Sequence, residues 1–171
     1  GMERNMAEYQ TIRHPFQPVY DERCRILILG SLPSVKSREN QFYYGHPRNR
    51  FWKVLAAVYK EEPPESIQEK QAFLLRHHIA LWDVVAQCDI CGSSDSSIRN
   101  IVPNDITGIL KEAPVEKIIT NGSKADELYR KYCQPLCARE AVRLPSTSPA
   151  NAAWRLEALV EEWRKQLLEG A

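Results

Sequence analysis

The sequence predicts an α/β protein with a four-stranded, mainly parallel central sheet covered by helices on both faces. Two observations carry this. Short apolar runs recur at residues 24–30 (CRILILG), 79–85 (IALWDVV), 115–122 (VEKIITNG) and 140–145 (EAVRLP). Such compact runs mark strands buried on both faces, whereas half-exposed strands alternate. Between the runs lie stretches with helical spacing, and strands alternating with helices build a parallel sheet.

The elements follow in order. Residues 1–24 are polar and proline-bearing and read as an N-terminal arm, with 25–171 as one domain; Gly1, ahead of Met2, is left out of the fold. Phe51, Trp52, Leu55, Val58 and Tyr59 share one face of a helix that Asn49 can cap. EEPPES (61–66) stops that helix, and a second starts behind Ser66. Residues 91–105 (CGSSDSSIRNIVPND) read as a glycine- and serine-rich loop leading to a short helix at 105–113. A further helix covers 123–133, and Leu156, Leu159, Val160, Trp163 and Leu167 form one apolar stripe on the last.

Composition narrows the function. Lys and Arg total 23 against 22 acids, a net charge of +1, which argues against wholesale polyanion binding but leaves room for a local phosphate contact. No apolar run approaches the ~20 residues of a membrane span and no signal-peptide pattern leads the chain, so a soluble, cytoplasmic protein is expected. Cys88 and Cys91, and Cys133 and Cys137, are spaced loosely like zinc thiolates. They flank different elements without a histidine cluster, so five reduced thiols and no metal are expected. The glycine fingerprints of dinucleotide and P-loop sites and the serine-hydrolase elbow are all absent from the sequence.

In an open parallel sheet, ligands bind at the carboxyl ends of the strands. The unusual loops lie there: 30–50, the segment from Cys88, Asn121-Gly122, and the segment from Leu144. Their inventory is amides, hydroxyls and aromatics, which suits a planar heterocycle. Tyr44, or its neighbours Phe42 and Tyr43, can stack on a base at ~1–3 kcal/mol. Asn121, ending a buried strand, presents a donor and an acceptor side by side, matching the carbonyl and ring N–H of uracil or hypoxanthine. Residues 144–152 (LPSTSPANA) offer hydroxyls and backbone N–H groups to a phosphate and stiff prolines to a duplex groove. His46, before Pro47, reads as a loop brace that can also donate to a base or phosphate. Asp83 reads as an anchor for the loop beside it.

Together, residues 27–55 (LILGSLPSVKSRENQFYYGHPRNRFWKVL), 79–85, 92–106, 120–125 (TNGSKA) and 144–152 resemble the uracil-DNA glycosylase superfamily. They are most similar to its hypoxanthine-DNA (deoxyinosine) glycosylase branch. The resemblance implies a three-layer α/β/α sandwich and a metal-free, cofactor-free, monofunctional glycosylase. Such an enzyme flips a deaminated base from DNA, hypoxanthine first, and hydrolyses its N-glycosidic bond in base excision repair. It implies Asn40 as the amide that positions water and Asn121 as the amide that reads the base. Gly30, Ser31, Tyr44 and His46 are placed around the base, and Ser34, Ser146, Thr147, Ser148 and Asn151 on the DNA. The partner is then damaged DNA, met by a monomer that associates with the nucleoid in a prokaryote. In the mismatch-type uracil branch an Asn stands where this chain has Leu32, which cannot orient water. Mismatch-type uracil excision is one alternative; a non-catalytic nucleic-acid or nucleobase-binding module of the same fold is the other.

Overall fold

A computed structural model describes residues 9–34, 38–39, 42–92 and 94–168. Strand β1 (Tyr9–Arg13) leads into β2 (Ile26–Gly30), helices α1 (Phe51–Tyr59) and α2 (Ile67–Arg76), and β3 (Ile79–Asp83). There follow β4 (Val85–Cys91), β5 (Arg99–Pro103), α3 (Thr107–Glu112), β6 (Lys117–Asn121) and α4 (Ser123–Leu128). A π-helical turn (Tyr129–Cys133), α5 (Gln134–Cys137), β7 (Val142–Leu144) and α6 (Leu156–Leu168) complete the chain.

The four expected strands form one sheet in the order β3-β2-β6-β7, with every neighbouring pair parallel. All five residues of β2 are buried. Because successive side chains point to opposite faces, Ile26 and Ile28 enter one core while Leu27 and Leu29 enter the other. The first core is closed by Phe51, Trp52 and Leu55 of α1, Phe73 and Leu74 of α2, and Leu159, Trp163 and Leu167 of α6. The second takes Ile109 of α3, Leu128 of α4, and Tyr129 and Cys133 of the π-helical turn. Helix, sheet, helix is therefore the three-layer sandwich, and its double-sided burial explains the compact apolar runs. Ser66 caps α2 as expected, its hydroxyl accepting the Glu69 N–H at 3.0 Å.

Two expectations need correction. The segment read as a loop from Cys91 holds β5, and the segment read as an arm holds β1; both pair antiparallel with β4 in a second, three-stranded sheet. Their strand signal is weak because both are largely exposed, and because β1 carries the polar Gln10 and Arg13 and β5 the poor strand formers Asn100 and Pro103. The pairing is held by polar bonds as well as by the ladder. Asp89 accepts from Thr11 Oγ1 at 2.6 Å and from Asn100 Nδ2 at 2.8 Å. The arm continues past β1 to a bridge between Val19 and Leu81, so it covers the outer edge of β3.

Cys24, Cys88 and Cys133 are buried, and among the described residues no three potential metal ligands cluster. Burial pushes the Cys24 thiol up to about 11 and the Cys133 thiol up to about 12. They are packing groups, and thiolates of neither form near neutral pH.

Candidate active site

The parallel strands end together, and the loops leaving Gly30, Asp83, Asn121 and Leu144 enclose a cleft of about 920 Å³. That volume suits a base with its sugar. Apart from Phe42, which lies in the core, every expected site residue among those described lines this cleft. Asn40 lies outside the described residues.

Thr147 is the hub of the cleft wall. It is wholly buried and uses all its polar groups internally. Its N–H donates to Asn121 Oδ1 at 3.1 Å, its Oγ1 accepts from Asn121 Nδ2 at 3.0 Å and donates to Asn49 Oδ1 at 2.8 Å, and its carbonyl accepts from the Arg50 N–H. Asn49 Oδ1 also accepts the Phe51 N–H in an Asx turn, which corrects its expected capping role: the N-cap position of α1 is Arg50, whose side chain makes no cap bond. One residue thus locks the end of β6, the start of α1 and the 144–152 loop. This corrects the DNA-contacting role expected of Thr147, since it is closed to solvent and both its donors are spent on Asn121 and Asn49. It also narrows Asn121, whose carboxamide keeps one N–H and one oxygen lone pair for a ligand.

The neighbours of Thr147 form a pre-shaped turn. Ser146 Oγ accepts the Ser148 N–H at 3.0 Å, Ser148 Oγ accepts the Ala150 N–H at 3.2 Å, and Asn151 Nδ2 donates to the Ser146 carbonyl at 3.0 Å. Both serine hydroxyl protons remain free to donate to a phosphate. Behind the turn, the Arg50 guanidinium donates to the carbonyls of Ser148, Asn151 and Trp154. Nothing local in the sequence marks Arg50 for this buttress, because its three carbonyl partners lie about a hundred residues further along the chain. Trp163 of α6 adds a bond from Nε1 to the Pro145 carbonyl at 3.0 Å. Replacing Arg50 with Lys keeps the charge but loses the planar fork, and is expected to cost about 2 kcal/mol. A thermal melt checks this, with Tm falling roughly 4–8 °C.

Gly122, leading into α4, has φ +96°, and a Cβ there would stand 2.9 Å from Ser146 Cβ. Only glycine allows β6 and the Ser146 loop to approach so closely.

The three aromatics divide as follows. Phe42 and Tyr43 are buried, Phe42 stacked on Trp52 and Tyr43 donating its hydroxyl to the Gln17 carbonyl at 2.8 Å. Tyr44 is half-buried, and one ring face stacks on Phe51 at 4.1 Å. Its backbone is left-handed, φ 55°, a strained conformation for a bulky residue and the kind found at ligand sites. The Tyr44 hydroxyl reaches the cleft floor beside Gly30, Asp83 and Asn121. It is buried yet makes no well-formed hydrogen bond among the described residues. Burial, then the Asp83 charge, pushes its ionisation far above the usual phenol range, so it stays a donor.

Gly30, placed around the base by the resemblance, leaves room by its missing side chain for two neighbours. A Cβ there would lie 2.4 Å from Asp83 Oδ1 and 2.8 Å from Tyr44 Oη. Ser31 is half-buried and Ser34 exposed at the rim. His46 Nδ1 accepts the Arg48 N–H at 3.0 Å, placing the ring proton on Nε2. It braces the loop through an N–H rather than a carbonyl. Arg38, Lys124 and Arg143 also line the cleft, a local cationic edge on a chain of near-zero net charge.

The fold and this cleft define a three-layer α/β domain with a cleft of amides, hydroxyls and aromatics at its strand ends. Residues 17–169 match the Uracil DNA glycosylase superfamily, and the chain belongs to that superfamily. It is 39% identical over 142 residues to a protein of Methanosarcina acetivorans named hypoxanthine DNA glycosylase, covering 82% of this chain and 89% of the relative. A Methanosarcina barkeri protein of the same name is 38% identical over 114 residues, covering 66% and 72%. A solution NMR structure from M. acetivorans, described as a candidate uracil DNA glycosylase, superposes with TM-score 0.79 at 35% identity. The match covers 92% of this chain and 97% of that one.

Proposed function

We infer that this protein is a monofunctional DNA glycosylase that excises a deaminated base, with hypoxanthine in deoxyinosine as its main substrate. The observation that carries the reading is the strand-end cleft, in which Asn121, Tyr44 and a pre-shaped serine turn converge beneath the superfamily match. The names of the relatives support hypoxanthine over uracil, as does Leu32, which borders the cleft and has no polar side-chain atom to orient water.

The C1′–N9 bond breaks with its electron pair moving to the base, water adds to C1′, and one water proton ends on the base. The sugar passes through an oxocarbenium-like state while negative charge builds on the base. Donors at the base carbonyl therefore stabilise the transition state, by ~3–4 kcal/mol each in favourable geometry. The spare N–H of Asn121 and the Tyr44 hydroxyl are those donors, with the Tyr44 ring flanking the base. Asn40 orients the water; an amide need not accept a proton when the sugar cation is itself electrophilic. Ser31 and His46 border the base, and Ser34, Ser146, Ser148 and Asn151 hold the DNA strand. The working unit is one domain over 25–171 with its arm, acting as a cytoplasmic monomer that associates with the nucleoid in a prokaryote.

The test is excision from single- and double-stranded oligonucleotides carrying deoxyinosine, uracil or xanthine. Release of hypoxanthine, lost in Asn40→Ala and altered in base preference in Asn121→Ala, supports the reading. Tight binding of deoxyinosine DNA with no base released would instead mark a binding module. The cationic edge makes a separate prediction. Arg143→Ala is expected to weaken binding to all DNA sequences alike and to lower the slope of log K against log salt by about 1. A salt titration of affinity checks it.

A further inference from the structure

On the floor of the cleft, at the end of β3, lies Asp83, in a buried pair with His14 that the mechanism above leaves unused. His14, just after β1, places Nε2 2.8 Å from Asp83 Oδ2, and each side chain is only 4% exposed. The other ring nitrogen, Nδ1, is 2.8 Å from the Phe16 carbonyl oxygen. A carbonyl cannot donate, so Nδ1 carries a hydrogen. The Nε2···Oδ2 contact then needs one proton of its own. Whichever atom holds it, the pair as a whole carries no net charge.

Asp83 Oδ1 points the other way. Among the described residues nothing donates a hydrogen bond to it, and it shares the space over Gly30 with the unpartnered Tyr44 hydroxyl. An acceptor and a donor with unspent capacity thus sit side by side on the cleft floor. That is the complement of a ring N–H next to a carbonyl, the edge that hypoxanthine and uracil share. Adenine, with a bare ring nitrogen beside an amine, presents the reverse pattern. Asn121 cannot supply this acceptor as freely, because Thr147 already draws on its oxygen.

A bare carboxylate in this place would oppose the reaction, since the leaving base gains negative charge beside it. We propose that His14 is a positioning residue that cancels the charge of Asp83, so that Asp83 accepts the ring N–H of the flipped base without repelling it as it leaves. This rests on the glycosylase reading and extends it to the N-terminal arm. His14 lies ahead of the segment matching the superfamily, which begins at residue 17.

The distinguishing experiment is a double-mutant cycle in single-turnover excision of hypoxanthine. His14→Gln can still donate to Asp83 but carries no charge, and is expected to slow excision on the order of a hundredfold. Asp83→Asn removes the opposing charge and keeps an oxygen toward the cleft. Added to His14→Gln, it is expected to raise the rate by about tenfold or more. If His14→Gln matches wild type, or if the double variant is no faster than His14→Gln alone, the proposal is overturned. A merely structural His14 would give no such rescue. Ring-¹⁵N NMR of the wild-type protein tests the pair without activity. It should find His14 protonated on Nδ1, with a further exchange-protected proton bonded between Nε2 and Asp83. A bare Nδ1 overturns the proposal. Absence of base release by the wild type would sink the glycosylase reading, while the NMR result still decides the pair.

Discussion

Gly30→Ala is expected to abolish most excision while leaving the protein folded. The added methyl group would stand 2.4 Å from Asp83 Oδ1 and 2.8 Å from Tyr44 Oη, both well inside van der Waals contact. Neither neighbour yields freely. Asp83 is tied from behind by His14, and the Tyr44 ring lies flat on Phe51. Overpacking of this kind costs about 1–3 kcal/mol, which for a chain of this size shifts Tm by roughly 2–12 °C. The kinetic effect is larger than the stability effect, because the clash falls on the groups that face the base. Misplacement of a reacting partner by an ångström costs on the order of a hundredfold. Single-turnover excision beside a thermal melt separates the two. A wild-type rate in a folded Gly30→Ala protein would show that Asp83 and Tyr44 do not face the reacting base.

The parts of this architecture legible in the sequence are those whose causes are local. Ile26–Gly30 reads as a central strand because every residue of it is buried, and α6 reads as a surface helix because Leu159, Trp163 and Leu167 fall on one stripe. The capping role of Ser66 follows from residue type and place. β1 and β5 were hidden because their pairing with β4 comes from tertiary context, which overrides the polar character of Arg99, Asn100 and Asp89. In the site, the strand ends and loops could be placed, but not the assignment of hydroxyls. Ser146, Thr147 and Ser148 look alike in the sequence, yet Thr147 turns inward and the serines toward the turn. The contact between His14 and Asp83 joins residues 69 apart and leaves no local trace at all.

Thr147→Val should show how far the cleft is one cooperative unit. The change keeps the shape of the side chain and removes only the hydroxyl. Asn121 Nδ2 then loses its acceptor and Asn49 Oδ1 one of its two donors, both within a wall closed to solvent at Thr147. Leaving buried polar groups short of partners costs about 1–3 kcal/mol each, so a loss of about 2–4 kcal/mol is expected. The kinetic penalty should again be about a hundredfold, since Asn121 is freed to rotate away from the base carbonyl. Thr147→Ser supplies the control. It retains both hydroxyl bonds and loses one buried methyl group, about 1 kcal/mol, and is expected to excise at a rate close to wild type. Urea unfolding and single-turnover rates measure the two effects on the same samples. If Thr147→Val and Thr147→Ser excise equally fast, the hydroxyl does not orient Asn121. The base-reading role would then have to rest on the cleft floor, with Asp83 and Tyr44.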